Sequence, residues 1–247
     1  MAIALVTGAS RGIGRATALQ LAGDGFTVAV NYHHNINAAT NVVNEIVSAG
    51  GRAFAVRADI SDEHQVLAMF DAIDREGEPL TALVNNAGIL FEQSTIENLT
   101  ADRINRILAT NVTGYFLCCR EAVKRMSHKH GGIGGAIVNV SSAASRLGAP
   151  GEYVDYAASK GAVDSLTTGL SLEVAAYGIR VNGVRPGLIY TDIHADGGEP
   201  GRVDRVKASL PMQRGGQPEE VAQAIVWLIS DKASYVTGSF IELAGGK

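Results

Sequence analysis

Two side chains able to move a proton, Tyr156 and Lys160, stand four positions apart in the segment YAASK. The segment lies in a predicted helix, where positions i and i+4 share one face. A free phenol has a pKa of about 10, too high for a base at neutral pH, but an adjacent ammonium favours the phenolate and lowers that pKa. The pair could therefore exchange a proton with a substrate oxygen. The alternative is a half-buried tyrosine and a surface lysine that meet at helical spacing by chance.

A glycine-rich segment, TGASRGIG at Thr7–Gly14, follows the first predicted strand and opens a helix. Glycines in such a turn let the backbone approach a pyrophosphate, and the helix N-terminus offers free N–H groups to the phosphates. The spacing is Gly-x3-Gly-x-Gly rather than the commoner Gly-x-Gly-x-x-Gly. Its position after the first strand predicts a dinucleotide site. The alternative is a glycine-rich turn that binds no ligand.

A third segment, VNVSS at Val138–Ser142, ends another predicted strand. In parallel α/β sheets the carboxyl ends of the strands form the ligand crevice, so a hydroxyl there could donate to a substrate carbonyl. The alternative is ordinary turn chemistry, in which serine is common.

The elements that must position these segments alternate along the chain as βαβαβ, without linker or repeat. The strand candidates are short runs rich in Val, Ile, Leu and Ala, typical of strands buried on both faces of a parallel sheet. The sequence therefore predicts a doubly wound α/β fold. The predicted strands are Ile3–Thr7, Thr27–Tyr32, Ala53–Ala58, Ala82–Asn85, Ala136–Ser141, Arg180–Arg185 and Ser239–Leu243.

Helices are predicted over Ala38–Ala49, from a cap at Thr100 to about Lys129, over Val154–Tyr177, and from Pro218. Ser61 is expected to cap one further helix. The stretches Ala143–Glu152 and Leu188–Ser209 are predicted to be long, irregular loops. The second holds several glycines and few residues that could anchor it, and we expect it to be a lid over the substrate.

Composition narrows the class of protein. The 247 residues carry a net charge of −4 with both signs scattered, so no nucleic-acid partner is expected. The two cysteines, Cys118 and Cys119, are adjacent and too few for a zinc cage, and no metal is expected. The first residues lack a basic n-region, and no apolar run reaches the length of about 20 residues that a membrane span needs. A cytoplasmic enzyme without a membrane partner is expected.

Six motifs, in the same order along essentially the whole chain, resemble the short-chain dehydrogenase/reductase family, including its acyl-carrier-protein ketoreductases and glucose-dehydrogenase-like members. The first is the glycine motif Thr7–Gly14. The others are Asn85-Asn86-Ala87-Gly88, the set of Ser142, Tyr156 and Lys160 with Asn111, Pro186-Gly187 with Thr191, Val236-Thr237-Gly238, and Gly245-Gly246.

The resemblance implies one Rossmann-type domain over residues 1–247 with a seven-stranded parallel sheet. It also implies roles: Tyr156 gives or takes the proton, Lys160 holds the nicotinamide ribose and lowers the tyrosine pKa, Ser142 orients the substrate oxygen, and Asn111 holds a water. Asp59 would lie near the adenine, although a turn residue that leads into a helix explains it as well.

One departure concerns the serine. The usual spacing of thirteen positions before the tyrosine would land on Ala143. We take Ser142 and infer one extra residue in the loop that follows it. Ser141 is the alternative, and Ser145 fits less well because it lies deeper in the loop.

The end of the second predicted strand, Val30–Asn35, carries no carboxylate, whereas an NAD enzyme of this fold places one there. Arg11 suits a 2′-phosphate, and His33 and His34 could add donors. NADP(H) is therefore expected as the preferred cofactor, with NAD(H) possible. The expected cofactor-binding residues are Gly8, Ser10, Arg11, Gly12, Ile13, Gly14, His33, Asp59, Ile60, Asn86, Ala87, Gly88, Tyr156, Lys160, Pro186, Gly187, Ile189 and Thr191.

The resulting prediction is an oxidoreductase that acts on a small-molecule carbonyl or alcohol and forms a homotetramer. A dinucleotide-binding sensor or scaffold that keeps the fold without catalysis is the second hypothesis. An epimerase or dehydratase of the extended branch is the third, but this chain lacks the larger C-terminal domain and the glycine spacing of that branch.

Overall fold

The computed structural model describes residues 2–247 and contains a seven-stranded sheet in the order β3-β2-β1-β4-β5-β6-β7. All neighbouring strands are parallel, which confirms the predicted doubly wound α/β fold, and every predicted strand overlaps an observed one. The chain turns back from β3 across β1 to β4, so a crevice opens at the carboxyl ends of β1 and β4. The strands are β1 Ile3–Val6, β2 Thr27–Tyr32, β3 Arg52–Arg57, β4 Leu80–Asn85, β5 Gly135–Val140, β6 Ile179–Pro186 and β7 Phe240–Leu243.

Helices cover both faces of this sheet, which is why the central strands read as continuous apolar runs. Every residue of β1 and β2 is buried, whereas β3, at the edge, buries only Val56. Two hydrophobic clusters result, one containing Phe70, Tyr115 and Val163 and the other containing Leu21 and Val42. The helices are α1 Gly12–Gly23, α2 Ile36–Ser48, α3 Glu63–Asp74, α4 Ala101–Leu108, α5 Gly114–Met126, α6 Ala144–Leu147, α7 Val154–Val174, α8 Ile193–Asp196, α9 Arg202–Val206 and α10 Pro218–Ile229.

Two predicted details of the helices are wrong. The cap of α3 is Asp62, whose carboxylate accepts hydrogen bonds from the backbone amides of His64 and Gln65. The Ser61 hydroxyl donates to Asp59 instead. The helix predicted from Thr100 to Lys129 is capped by Thr100 but is interrupted by a π-helical turn at Ala109–Thr113. This turn separates α4 from α5.

The segment 188–209 is also more structured than the sequence indicated, because it contains α8, α9 and a short 3₁₀ turn. Val203 is buried, and the Tyr153 hydroxyl donates to the carbonyl of Gly197 at 3.2 Å. Arg202 forms a two-fold ion pair with Glu152, which precedes α7. The expectation that few residues anchor this segment is therefore wrong. None of the helices described here combines the length and apolar character that crossing a membrane requires.

Candidate active site

A cleft of about 980 Å³ opens at the carboxyl ends of the strands and brings together nearly all the residues that the sequence singled out. Gly14 and Asn111 are the two that do not line it. The predicted residues that line the cleft are Gly8, Ser10, Arg11, Gly12, Ile13, His33, Asp59, Ile60, Asn86, Ala87, Gly88, Ser142, Tyr156, Lys160, Pro186, Gly187, Ile189 and Thr191.

The N-terminus of α1 forms one wall of the cleft. The residue before it, Arg11, makes no side-chain cap, so the first N–H groups of the helix stay available to an anion. Gly12 adopts φ +55°, a left-handed conformation that favours glycine, as the chain enters the helix. The buried Asn31 ties the glycine-rich loop to the end of β3, because its side chain accepts from Gly8 N at 3.1 Å and donates to the carbonyl of Ala58 at 3.2 Å. These features suit the phosphates of a dinucleotide.

Gly14 supports this wall from behind rather than lining it. A Cβ at this position would lie 2.4 Å from the carbonyl oxygen of Gly8 and 2.5 Å from Nδ2 of Asn86. Glycine is therefore required for the close approach of α1 to the loop. The structure gives Gly14 this packing role, and its contact with the cofactor stays a prediction.

Tyr156 and Lys160 both project from α7 into the cleft, one turn apart, with Lys160 Nζ 5.6 Å from the centre of the Tyr156 ring. Burial raises the pKa of Tyr156 to about 12, and the Ser142 hydroxyl partly opposes that rise. Burial lowers the pKa of Lys160 to about 7, against the opposing charge of Asp164. The groups of the protein itself thus raise the tyrosine pKa, opposite to the expected effect of Lys160, because desolvation disfavours both charged forms.

The structure also separates the serine candidates. The hydroxyl of Ser141 is buried and donates to the carbonyl of Lys160 at 3.2 Å. The hydroxyl of Ser145 donates to the carbonyl of Ser142 at 2.8 Å. Ser142 lines the cleft, and its hydroxyl oxygen accepts only the amide of Ala144, at 3.1 Å, among the hydrogen bonds of residues 2–247. Its own proton is therefore available towards Tyr156 and the cleft.

Asn111 lies in the π-helical turn and is fully buried. Its side chain accepts from Ile89 N at 2.8 Å and donates to Ile89 O at 2.9 Å and to Ser159 Oγ at 3.1 Å. It ties the loop after β4 to α7, which carries Tyr156 and Lys160.

At the opposite end of the cleft, the residues predicted to hold the adenosine are only partly arranged as expected. His33 Nε2 lies 3.6 Å from Asp59 Oδ2. Asp59 also accepts the amide and the hydroxyl of Ser61, so its alternative role as a turn residue is realised. Arg11 does not point to this end, because its guanidinium is paired with Asp196 of α8.

The part of the cleft beyond Tyr156 mixes apolar and polar walls. Leu90 and Leu210 are buried there, and the ion pair of Arg202 with Glu152 lies beside them. His194 Nε2 lies 2.9 Å from the carbonyl oxygen of Ile189 and donates to it in the tautomer that carries the proton on Nε2. Burial lowers the pKa of His194, which favours its neutral form.

Sequence reasoning missed two residues that touch this site. Tyr115, in α5, meets Lys160 Nζ with its phenol oxygen at 3.4 Å. Asp196, in α8, binds Arg11. No sequence pattern marked either residue, because a tyrosine in an apolar helix is predicted to be a core residue and an aspartate in a polar loop is predicted to be a surface residue.

A parallel sheet with an uncapped helix end and a Tyr–Lys pair in one cleft defines a nucleotide-dependent oxidoreductase. A family model described as enoyl-(acyl carrier protein) reductase matches residues 8–247. The chain therefore belongs to the short-chain dehydrogenase/reductase family and is an NAD(P)-dependent enzyme that acts on CH–OH or C=O groups. This confirms the resemblance seen in the sequence.

Similar proteins agree with that assignment. The chain is 79% identical over 247 residues to the uncharacterized oxidoreductase YgfF of Escherichia coli (strain K12), with all of both chains covered. It is 39% identical over 243 residues to the 3-oxoacyl-[acyl-carrier-protein] reductase FabG of Staphylococcus aureus (strain Mu50 / ATCC 700699), covering 98% of this chain and 96% of that protein. A short chain dehydrogenase from Burkholderia cenocepacia J2315, solved in complex with NADP, superposes with a TM-score of 0.89 at 33% identity, covering 98% of this chain and 96% of that one.

Proposed function

We propose that this chain, acting as one domain over residues 1–247, transfers a hydride between NADP(H) and a small carbonyl or alcohol substrate. The observation that carries the proposal is the common cleft, which holds Tyr156, Lys160 and Ser142 together with the uncapped N-terminus of α1. A sensor or scaffold would need the helix end but would not need the proton-transfer groups.

The residues of the cleft fit a dinucleotide that carries a 2′-phosphate. The N–H groups at the start of α1 suit the pyrophosphate, and the end of β2 offers His33 and no carboxylate to the adenosine ribose. A 2′-phosphate would meet no repulsion from β2, so we infer a preference for NADP(H) over NAD(H). The complex of the Burkholderia neighbour with NADP is consistent with this choice. When bound, the cofactor supplies or accepts the hydride.

The side chains then act on the substrate oxygen. Tyr156, with its pKa raised to about 12, stays protonated at neutral pH and can give its proton to a carbonyl oxygen that is being reduced. Ser142 can donate to the same oxygen and hold it in place. Lys160 binds the cofactor ribose, and Asn111 keeps the loop after β4 in contact with α7. At neutral pH Tyr156 is therefore in the protonated form that carbonyl reduction uses.

A substrate panel tests the proposal. It contains a 3-oxoacyl thioester, ethyl acetoacetate, aldoses and polyols, each assayed with both cofactors by nicotinamide absorbance. Tyr156→Phe should retain cofactor binding and lose several orders of magnitude in turnover. Tyr177→Phe, in the 3₁₀ turn that follows the far end of α7, should behave as wild type. Binding of NADPH without turnover of any panel member would favour the sensor. Near-normal turnover by Tyr156→Phe would refute the proton-transfer role.

We also propose that the enzyme assembles as a homotetramer. Phe116 of α5, Leu172 of α7 and Trp227 of α10 are large apolar side chains that stand 50%, 78% and 40% exposed on the chain by itself. Exposed apolar side chains on long helices are the surfaces that subunit interfaces cover.

A further inference from the structure

Tyr115 makes a closed set of hydrogen bonds behind the candidate active site. Its ring is fully buried, and its hydroxyl donates to the carbonyl of Val140 at 3.2 Å. Lys160 Nζ donates to the same carbonyl at 2.7 Å and to the oxygen of Tyr115 at 3.4 Å. Two of the three protons of the ammonium are thus directed to Val140 and Tyr115, and the third remains for the cleft.

We propose that Tyr115 is a positioning residue of the reaction, whose phenol oxygen holds the protonated ammonium of Lys160 in the cleft wall. The inference rests on the proposed function, because it matters to catalysis only if Lys160 binds the cofactor ribose. Tyr115 acts through Lys160 and does not line the cleft itself.

The reason for a phenol at this position is the burial of the charge. Lys160 is 2% exposed, and a buried ammonium needs an acceptor for each N–H that water does not reach. Val140 supplies one acceptor and Tyr115 supplies the next. A phenylalanine or leucine would fill the same space in α5 and supply none, which would leave the charged form of Lys160 less stable.

The other ionisable groups around Lys160 contribute little positive or negative charge. Burial raises the pKa of Cys119 to about 12 and also raises the pKa values of Tyr115 and Cys118, so these groups of α5 are neutral at physiological pH. Tyr156 of α7 is neutral for the same reason.

Asp164, also on α7, is the negative charge that favours the protonated lysine, and Arg185 of β6 is paired with it at 3.0 Å. The polar side chains of β5 and of the π-helical turn, Asn139 and Asn111, are uncharged. Burial accordingly holds the pKa of Lys160 at about 7. Loss of an acceptor should lower it further.

The test is the pH dependence of NADH binding, followed by fluorescence, because NADH has no 2′-phosphate to titrate and no substrate is needed. In the wild type the affinity should fall as the pH rises through about 7, where Lys160 loses its proton. Tyr115→Phe should move that midpoint down by about half to one pH unit. This shift is somewhat smaller than a hydrogen bond to a charged group usually produces, because the distance from Lys160 Nζ to the Tyr115 oxygen is long, at 3.4 Å. Tyr177→Phe, a phenol lost elsewhere, should keep the wild-type midpoint.

Lys160→Met shows which part of the pH dependence of NADH affinity is due to Lys160, because any part due to His33 or His34 remains in this variant. A curve for Tyr115→Phe that superposes on the wild type while Lys160→Met lacks that part would overturn the inference and leave Tyr115 a packing role. Identical curves for the wild type and Lys160→Met would overturn it as well. The proposed function is judged separately, by turnover in Tyr156→Phe, and thermal unfolding of Tyr115→Phe shows whether the fold is intact.

Discussion

Replacing Arg11 by alanine should separate the two cofactors. Arg11 lies in the glycine-rich loop and is held by Asp196, with both side chains about half exposed (53% and 46%). A 2′-phosphate would have to attract the guanidinium away from this ion pair. NADH carries no such group, so the substitution should leave its binding nearly unchanged.

The size of the effect follows from the two interactions. A hydrogen bond between charged groups contributes about 1.5–3 kcal/mol, while an exposed ion pair such as Arg11–Asp196 contributes about 0–1 kcal/mol. The difference is about 0.5–3 kcal/mol, so NADPH should bind Arg11→Ala roughly 2- to 150-fold more weakly. The affinity for NADH should change less than about twofold on the same scale.

Fluorescence titration with each cofactor measures both changes. Asp196→Asn provides the converse experiment, because it releases Arg11 and should tighten NADPH by up to about fivefold. Asp192→Asn removes the same charge from the same segment without contacting Arg11, and it should have no such effect. Equal losses for both cofactors in Arg11→Ala, or a wild type that prefers NADH, would show that Arg11 does not read the 2′-phosphate.

Three further predictions concern stability, motion and assembly. Gly14→Ala should lower the unfolding temperature and weaken NADPH binding, because its Cβ would lie 2.4 Å from a carbonyl oxygen and overpacking destabilises by about 1–3 kcal/mol. Gly161→Ala, whose Cβ meets open space in α7, should change neither property. Equal unfolding temperatures for Gly14→Ala and the wild type would contradict this prediction. Hydrogen exchange in residues 188–209 should be slowed by NADPH and quickened by Glu152→Gln, which weakens the ion pair to Arg202; full protection without cofactor would argue against a lid. Light scattering should give about four times the 25.8 kDa of one chain, and a 25.8 kDa particle would exclude the tetramer.

Much of the fold was predictable because its signals are local. Strands buried on both faces must be apolar throughout, and so β1, β2 and β5 stand out in the sequence. Caps and breakers act on their own neighbours, which is why Thr100 and Pro218 mark helix starts correctly. The π-helical turn at Ala109–Thr113 was missed, because no residue type marks a change of hydrogen-bond register inside a helix.

The cleft was predictable in its membership but not in its contacts. Motifs at the ends of parallel strands must meet at one edge of the sheet, so the order of elements alone brings Gly8 and Ser142 together. Tyr156 joins them from the first turn of α7. Their spacing along the chain also carries the resemblance to the family.

What only the tertiary structure decided are the contacts between groups far apart in the chain. Arg11 meets Asp196 across 185 positions, and Lys160 meets Tyr115 across 45. Whether such side chains touch depends on how the helices pack over the sheet and how a segment such as 188–209 folds back. Burial, and with it the raised pKa of Tyr156 and the lowered pKa of Lys160, is likewise a property of the packed surroundings and not of the residue types.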